Sequence, residues 1–320
     1  MARQFTFAHL TDVHLAPMPR FAPQHWNLKR ALGYANWQRK RRRIHLRSVV
    51  DQLLADLHRQ DVDHVLVSGD LINIGMPQEH EQALDWLTTV GRPQDVSVVP
   101  GNHDIYCPLW TDIGVERWRA YMSDIAADGS ETASRGRFPF VRHFAQAAVI
   151  GVNSSVTTPP GIASGKAGEE QLVRLAAILD RLGEQGKWRI VMIHHPPLPG
   201  QAKPGRNLRD AERLAQIIAR HGAELIVHGH NHRNMLTYIT ARLEEVPVVG
   251  APSFSAGRHH HDEPLAAYNL YHLKHDENAT KPGIEMVQRG LTEIDGEIDE
   301  IRRNQLLPRP ATQAANDRDG

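Results

Sequence analysis

The sequence predicts a layered α/β fold with a second sheet, and three observations carry that expectation. Short runs rich in Val and Ile end in polar or Gly-containing turns, amphipathic stripes lie between several of them, and after residue 234 strand-like segments continue without comparable helices. Strand followed by helix, repeated, is the pattern of a sheet covered by helices. The strand-only region beyond it is most simply a second sheet packed on the first.

In chain order, "FTFAHL" (5–10) reads as the first strand. Leu46, Val49, Val50, Leu53, Leu54 and Leu57 then recur at the three- and four-residue spacing of one helix face. "HVLVSGD" (64–70), "VSVVPGNHD" (96–104), "AAVIGVNSS" (147–155) and "RIVMIHHPP" (189–197) read as buried strands. A second stripe, Leu172, Leu175, Ile178, Leu179 and Leu182, falls between the last two, and Leu214, Ile217 and Ile218 form a third before the strand "ELIVHGH" (224–230). "MLTYITA", "VPVVGAPSFS" and "AAYNLYHLK" are the later strands. From Leu307 onward "LPRPATQAANDRDG" is polar and contains Pro, which predicts a disordered tail (307–320) behind one domain (1–306).

The 320 residues carry 37 basic and 37 acidic side chains, so no global charge argues for nucleic acid. No stretch approaches a membrane span and the N-terminus lacks a leader pattern, which makes a cytoplasmic location the expectation. A single cysteine, Cys107, rules out an internal disulfide framework or a thiolate cluster within one chain. The unusual count is 20 histidines, the commonest metal ligands and the usual proton carriers near neutral pH.

Polar residues gather where the predicted strands end. Asp12 and His14 follow the first, Asp70 the second, and Asn102, His103 and Asp104 the third. His194 and His195 end a later strand, and His228, His230 and His232 end the next. Sites in open α/β sheets form at such C-terminal ends, because loops from several strands converge there. Mixed carboxylate, amide and imidazole donors suit hard and borderline ions such as Mn²⁺, Fe²⁺/Fe³⁺ or Zn²⁺.

The blocks Asp12-Val13-His14, Gly69-Asp70, Gly101-Asn102-His103-Asp104, "IHHPP" and Gly229-His230-Asn231-His232 stand in order over about two-thirds of the chain. They resemble the calcineurin-like metallophosphoesterase superfamily, whose signature is D-x-H, G-D, G-N-H-[DE], a His and G-H-x-H. The resemblance implies a four-layer αββα sandwich of two mixed sheets flanked by helices, with a site for two metal ions per chain at the strand C-termini. Asp12, His14 and His232 would hold one ion, Asn102, His194 and His230 the other, and Asp70 would bridge them. A metal-bridged hydroxide would then attack phosphorus in a phosphodiester. His103 would contact the phosphoryl oxygens and protonate the leaving group, with Asn102 also touching substrate and Asp104 orienting the His103 imidazole.

Taken singly, Asp12, Asp70 and Asn102 would be turn or cap residues. The five blocks together reverse that reading. His195, beside the required His194, is expected in the pocket wall, behind the ligands or against substrate, Arg233 at the pocket rim, and His228 buried or behind the ligands without a ligand role. His259, His260 and His261 resemble a loop His tract, for which substrate contact near the site mouth is the specific alternative. Cys107 reads as a packed loop residue.

"PSFSAG" (252–257) after Gly250-Ala251, the compact length and "IHHPPLP" resemble the bacterial cyclic-nucleotide phosphodiesterase branch most closely. A small-molecule phosphodiester, such as a cyclic nucleotide or glycerophosphodiester, is therefore the expected substrate. The insertion at about 18–47 complicates this. From Trp26 to Arg47 it holds eight Lys or Arg, no Asp or Glu, and the aromatics Trp26, Tyr34 and Trp37. Such a segment can be a solvated basic helix, or it can meet an anionic membrane surface, which would place the protein at the inner face of the membrane. It then favours the rival reading, a UDP-2,3-diacylglucosamine pyrophosphohydrolase-type enzyme. A nuclease and a non-catalytic metal-binding scaffold rank below both.

Overall fold

A computed structural model describes residues 4–20, 23–25, 27–108, 112–125, 137–241, 244–275 and 282–308. Trp26 and residues 309–320 of the expected tail lie outside the described residues. Leu307, where that tail was expected to begin, is instead the last residue of a strand and is paired with Ile284.

Two six-stranded mixed sheets form the centre. The first contains β1 (Gln4–Leu10), β2 (His64–Val67) and β3 (Val96–Val98), all parallel. The second contains β4 (Phe140–His143), β5 (Ala147–Val152), β6 (Trp188–Ile193) and β7 (Leu225–His228), with β5, β6 and β7 parallel. These parallel strands are buried on both faces, which is why they read as continuous Val/Ile runs rather than alternating ones.

The later strands do not make a sheet of their own. β8 (Met235–Ala241) and β9 (Glu244–Gly250) complete the second sheet, β9 lying parallel to β7. β10 (Ala267–Lys274), β11 (Gly283–Leu291) and β12 (Ile298–Leu307) return to the first sheet, where Tyr271 of β10 pairs with Phe7 of β1. The first sheet is thereby continued antiparallel on the free side of β1, which would otherwise expose a row of unpaired backbone groups.

Helices cover both sheets. α3 (Arg47–Leu57) and α4 (Pro77–Val90) place Leu53, Leu57, Trp86 and Leu87 in a core that also holds Phe7, Leu66 and Val98 of the first sheet and Val149, Ile190 and Val227 of the second. α5 (Glu169–Glu184) and α6 (Ala211–His221) pack Leu175, Leu179, Leu214 and Ile218 on Val191, Ile193, Ile226 and Val248 of the second sheet. The result is helix, sheet, sheet, helix. The basic insertion forms α1 (Leu28–Asn36), a π-helical turn (Trp37–Arg41) and α2 (Arg42–Ile44) in immediate succession. Among the described residues no helix is long and apolar enough to cross a membrane.

Candidate metal centre

The ends of β1, β2, β3, β6 and β7 lie side by side, so their loops meet in one place. Backbone bonds lock the first two loops together: Asp12 N–H donates to Gly69 O at 2.9 Å, His14 N–H to Asp70 O at 3.0 Å and Leu15 N–H to Leu71 O at 2.8 Å. Gly229 N–H donates to His194 O at 3.0 Å and ties β7's loop to β6's. A side chain at position 229 would collide with the Thr11 hydroxyl and Asp12 carboxylate, so only glycine lets these loops approach.

Backbone strain marks the same residues. Asp12, His14, Asp70, His230 and His232 all have φ between 42° and 70°, in the left-handed region. Non-glycine residues rarely adopt it, and they cluster there at functional sites.

The side chains converge with matching chemistry. Asp12 Oδ2 accepts from the Thr11 hydroxyl at 2.8 Å and from His230 N–H at 2.9 Å, while Oδ1 lies 3.1 Å from His232 Nε2 and 4.0 Å from His14 Nε2. The His14 and His232 Nε2 atoms are 3.4 Å apart. Beside them, His194 Nε2 lies 3.5 Å from Asp70 Oδ2, 3.2 Å from Asn102 Oδ1 and 3.2 Å from His230 Nδ1. Ligand atoms of Asp12, His14 and His232 fall within 4.8 Å of one another, as do those of Asp12, Asp70 and His194.

Three of these imidazoles are oriented from behind. His14 Nδ1 faces Ile72 O at 3.1 Å, His194 Nδ1 faces Ser68 O at 2.7 Å, and His232 Nδ1 faces the Glu263 carboxylate at 3.1 Å. Each back nitrogen is thus the donor, and each Nε2 is turned inward, where a metal would displace any proton it carries. Two facing lone pairs repel one another, whereas a cation between them satisfies both. The buried donor set of carboxylate oxygens, one amide oxygen and imidazole nitrogens fits divalent metal ions.

Electrostatics set the four imidazoles apart in two pairs. Burial disfavours charge on His194, but the adjacent Asp70 carboxylate outweighs it and holds the imidazole up at about 9. His232 is likewise pushed up to about 9, against burial, by Asp12 and Glu263. Burial and the like charges around them hold His14 and His230 well below the usual histidine value.

His103 stands beside this cluster, its ring 5.0 Å from that of His14. Its backbone N–H donates to Asp70 Oδ1 at 2.7 Å, which leaves Asp70 Oδ2 as the inward oxygen. Its Nδ1 lies against the Asn73 carbonyl, and Arg41 approaches the ring at 3.4 Å. Burial and the Arg41 charge push the imidazole down to about 3.

Three expected placements are corrected. The Asp104 carboxylate is not directed at the His103 imidazole: Oδ2 accepts Asp70 N–H and Gly101 N–H at 2.8 Å each, and Oδ1 accepts Leu71 N–H at 2.9 Å and Ile72 N–H at 3.2 Å. It clamps the β2 and β3 loops together, and the Asn73 carbonyl holds His103 instead. His195 is fully buried, with Nδ1 2.8 Å from the Ser154 hydroxyl and Nε2 3.1 Å from Ala163 O, so both nitrogens are engaged away from any substrate. Its closeness to His194 and His230 reflects packing, since no nitrogen is free to join them. Arg233 pairs with Asp262 at 2.8 Å and lines an adjacent groove rather than the cavity over the cluster. His228 is buried with Nδ1 3.1 Å from Gly229 O.

That cavity, about 260 Å³, is lined by Asp70, Asn102, His103, His230 and His232 of the cluster and by Lys29, Arg41, Tyr106 and Arg206. Sequence reasoning missed Asn73, Arg206 and Glu263, because nothing near them in the chain signals the contacts that tertiary approach creates. Ser253 leaves a trace in the "PSFSAG" segment: its hydroxyl donates to Asp12 O at 2.6 Å and braces that loop. His261 lines the adjacent groove. Cys107 is buried beside Asn27, its Sγ 3.6 Å from the amide nitrogen.

Comparison with known proteins agrees with this geometry. Residues 5–234 match the family model described as calcineurin-like phosphoesterase. A probable cyclic nucleotide phosphodiesterase of Synechococcus sp. is 28% identical over 188 residues, 57% of this chain and 62% of that protein. The glycerophosphodiester phosphodiesterase GpdQ of Enterobacter lignolyticus is 29% identical over 193 residues, 59% of this chain and 63% of that protein. The chain thus matches less than two-thirds of the length of either. A dimetal phosphatase from Danio rerio shares the fold at 17% identity and a TM-score of 0.58, over 93% of this chain and 98% of that one. A purple acid phosphatase from yellow lupin seeds does so at 15% identity and 0.54, over 94% of this chain and 53% of that one. With most of its length matched by one family model, the chain belongs to the calcineurin-like phosphoesterase family.

Proposed function

We propose that the protein is a dinuclear metal-dependent phosphodiesterase acting on a small-molecule phosphodiester, such as a cyclic nucleotide or a glycerophosphodiester. The observation that carries this reading is the inward convergence of Nε2 lone pairs and carboxylate oxygens while the opposite atoms are tied to the protein. Asp12, His14 and His232 would hold one ion, and Asn102, His194 and His230 the other. Asp70 would serve both, with its Oδ1 held in place by His103 N–H. Two divalent or trivalent ions, Mn²⁺, Fe²⁺/Fe³⁺ or Zn²⁺, would supply Lewis acidity toward phosphoryl oxygens and an activated water.

The remaining work falls to side chains of the cavity. With Nδ1 fixed on the Asn73 carbonyl, His103 offers Nε2 to a ligand in the cavity, and the negative charge of a bound phosphate would raise the imidazole so that Nε2 could carry the proton a leaving oxygen needs. The small cavity suits a compact ester, and the names of the two curated relatives, both phosphodiesterases, support that class. Protein prepared without chelator is expected to carry two metal equivalents and to hydrolyse bis(p-nitrophenyl) phosphate. Metal-free protein that keeps the full rate would contradict the assignment.

A second reading concerns location. Leu28 (70% exposed) and Leu32 (53% exposed) share one face of α1, and Arg39, Lys40, Arg42 and Arg43 are exposed just beyond it. Apolar side chains beside a basic cluster suit peripheral contact with an anionic membrane, which keeps a lipid-linked pyrophosphate substrate as the alternative.

A further inference from the structure

Arg41 does not share the outward course of its basic neighbours. It closes the π-helical turn Trp37–Arg41, in which Trp37 is buried while Arg39 and Lys40 face solvent. Such turns are uncommon and recur at functional sites, where the extra residue re-aims a side chain. Here the guanidinium reaches the cavity wall, 3.4 Å from His103 Nδ1. Arg206, from the loop before α6, enters the same cavity and donates to His230 O at 3.4 Å. It also lines the adjacent groove of about 640 Å³, so it stands where the two spaces meet.

Among the described residues neither guanidinium forms an ion pair with a carboxylate. Among the described residues lining the cavity the one acidic group is Asp70, which belongs to the ligand set. Glu263 is engaged with His232 and Asp262 with Arg233. Lys29 is different, because its ammonium donates to Tyr106 O and Thr158 O at 2.7 Å each and fastens two loops. Arg41 is partly buried, so its guanidinium loses hydration, a cost offset by an anion that the exposed Arg206 guanidinium of the same cavity can also meet. Burial lowers the Arg41 pKa in accordance with that cost, even against the attraction of the Asp70 carboxylate.

The scissile phosphate of a diester carries one negative charge, and the ligand set with His103 already addresses it. We propose that Arg41 and Arg206 form a second anion subsite, and that the substrate is a phosphodiester bearing a further phosphate or carboxylate group. This rests on the phosphodiesterase reading. Guanidinium forks bind either acid in the same bidentate manner, so the source of the charge is left to the experiment.

The test is calorimetric titration of the metal-loaded protein with two matched pairs of product-like probes. Glycerol 3-phosphate and 3-phosphoglycerate differ by a carboxylate; adenosine 5′-monophosphate and adenosine 3′,5′-bisphosphate differ by a phosphate. The additional acid is expected to tighten binding about ten- to a hundred-fold in at least one pair, the range of one to two charge-assisted contacts. The pair that responds identifies the acid. Arg41→Gln and Arg206→Gln should each bring that ratio close to one while metal content stays at two equivalents. If Arg41→Gln fails to fold, Arg206→Gln alone decides. Equal binding within both pairs, or a ratio that survives in a folded variant, overturns the proposal. Hydrolysis of bis(p-nitrophenyl) phosphate by the same wild-type preparation reports separately on the phosphodiesterase assignment.

Discussion

His103 and Asp70 touch each other yet carry separable tasks. The Asp70 carboxylate lies within reach of His194 and accepts His103 N–H, whereas the His103 ring is held by a backbone carbonyl and reaches no ligand carboxylate. His103→Ala should therefore retain both metal equivalents and lose turnover by about 10²- to 10⁴-fold, the usual worth of a positioned proton donor. Asp70→Ala should lose metal and turnover together. Metal analysis beside a diester assay checks the pair, and equal metal loss in the two variants would contradict the division. At this scale the sequence was informative about residue type and poor on aim. The strand-end blocks brought Asp12, His14, Asp70, Asn102, His194, His230 and His232 together, because each block sits on a loop whose direction its parallel strand dictates. Asp104 shows the limit: an acid next to a histidine in the chain points instead at four amides, two loops having met around it.

The elements that shape the mouth of the site are the ones periodicity describes least well. α4 begins with Pro77, and its buried Glu79 accepts Asn73 N–H at 2.9 Å, Ile74 N–H at 3.2 Å and Met76 N–H at 3.0 Å. That fixes the loop whose Asn73 carbonyl holds His103. From the other side Arg30 of α1 donates to Gly75 O at 2.5 Å and Ile74 O at 3.4 Å, so the basic insertion is fastened over the loop. The segment therefore has two faces with different work: Lys29, Arg30 and Arg41 turn inward, and Leu28, Leu32, Arg39, Lys40, Arg42 and Arg43 turn outward. Composition alone counted all the cations together. If the outer face meets an anionic membrane, the protein should sediment with vesicles containing phosphatidylserine, in a salt-sensitive way. Replacing Arg39, Lys40, Arg42 and Arg43 by Gln, with Arg41 left intact, should abolish it. Equal recovery of wild type and variant in the pellet would remove the membrane reading.

Across the whole molecule, the alternation of strands and helices was legible because the parallel strands are buried on both faces, but the assignment of late strands to sheets was not. Nothing in "AAYNLYHLK" states that β10 must pair with β1 rather than extend β8; that choice is made by long-range pairing. One consequence of the resulting double sheet can be measured. His64 opens β2 and is buried, with Nε2 2.8 Å from the Ser97 hydroxyl, its ring 5.0 Å from that of Phe144, and Arg142 of the second sheet nearby. Burial and the Arg142 charge push its imidazole from 6.5 down to about 3 in the folded protein. Between those values the unfolded chain binds a proton that the folded chain refuses. The stability this residue protects is complete above pH 6.5 and is lost as pH falls toward 3, at about 1.4 kcal/mol per pH unit. His64→Gln keeps a polar group near Ser97 without the titration, so its urea stability measured from pH 6.5 to 4 should fall less steeply than wild type, by about one proton's worth of slope. Both proteins are compared after chelation, so that the metal ligands titrate alike in each and cancel from the difference. Parallel pH profiles would show that the folded protein accommodates charge at this inter-sheet histidine.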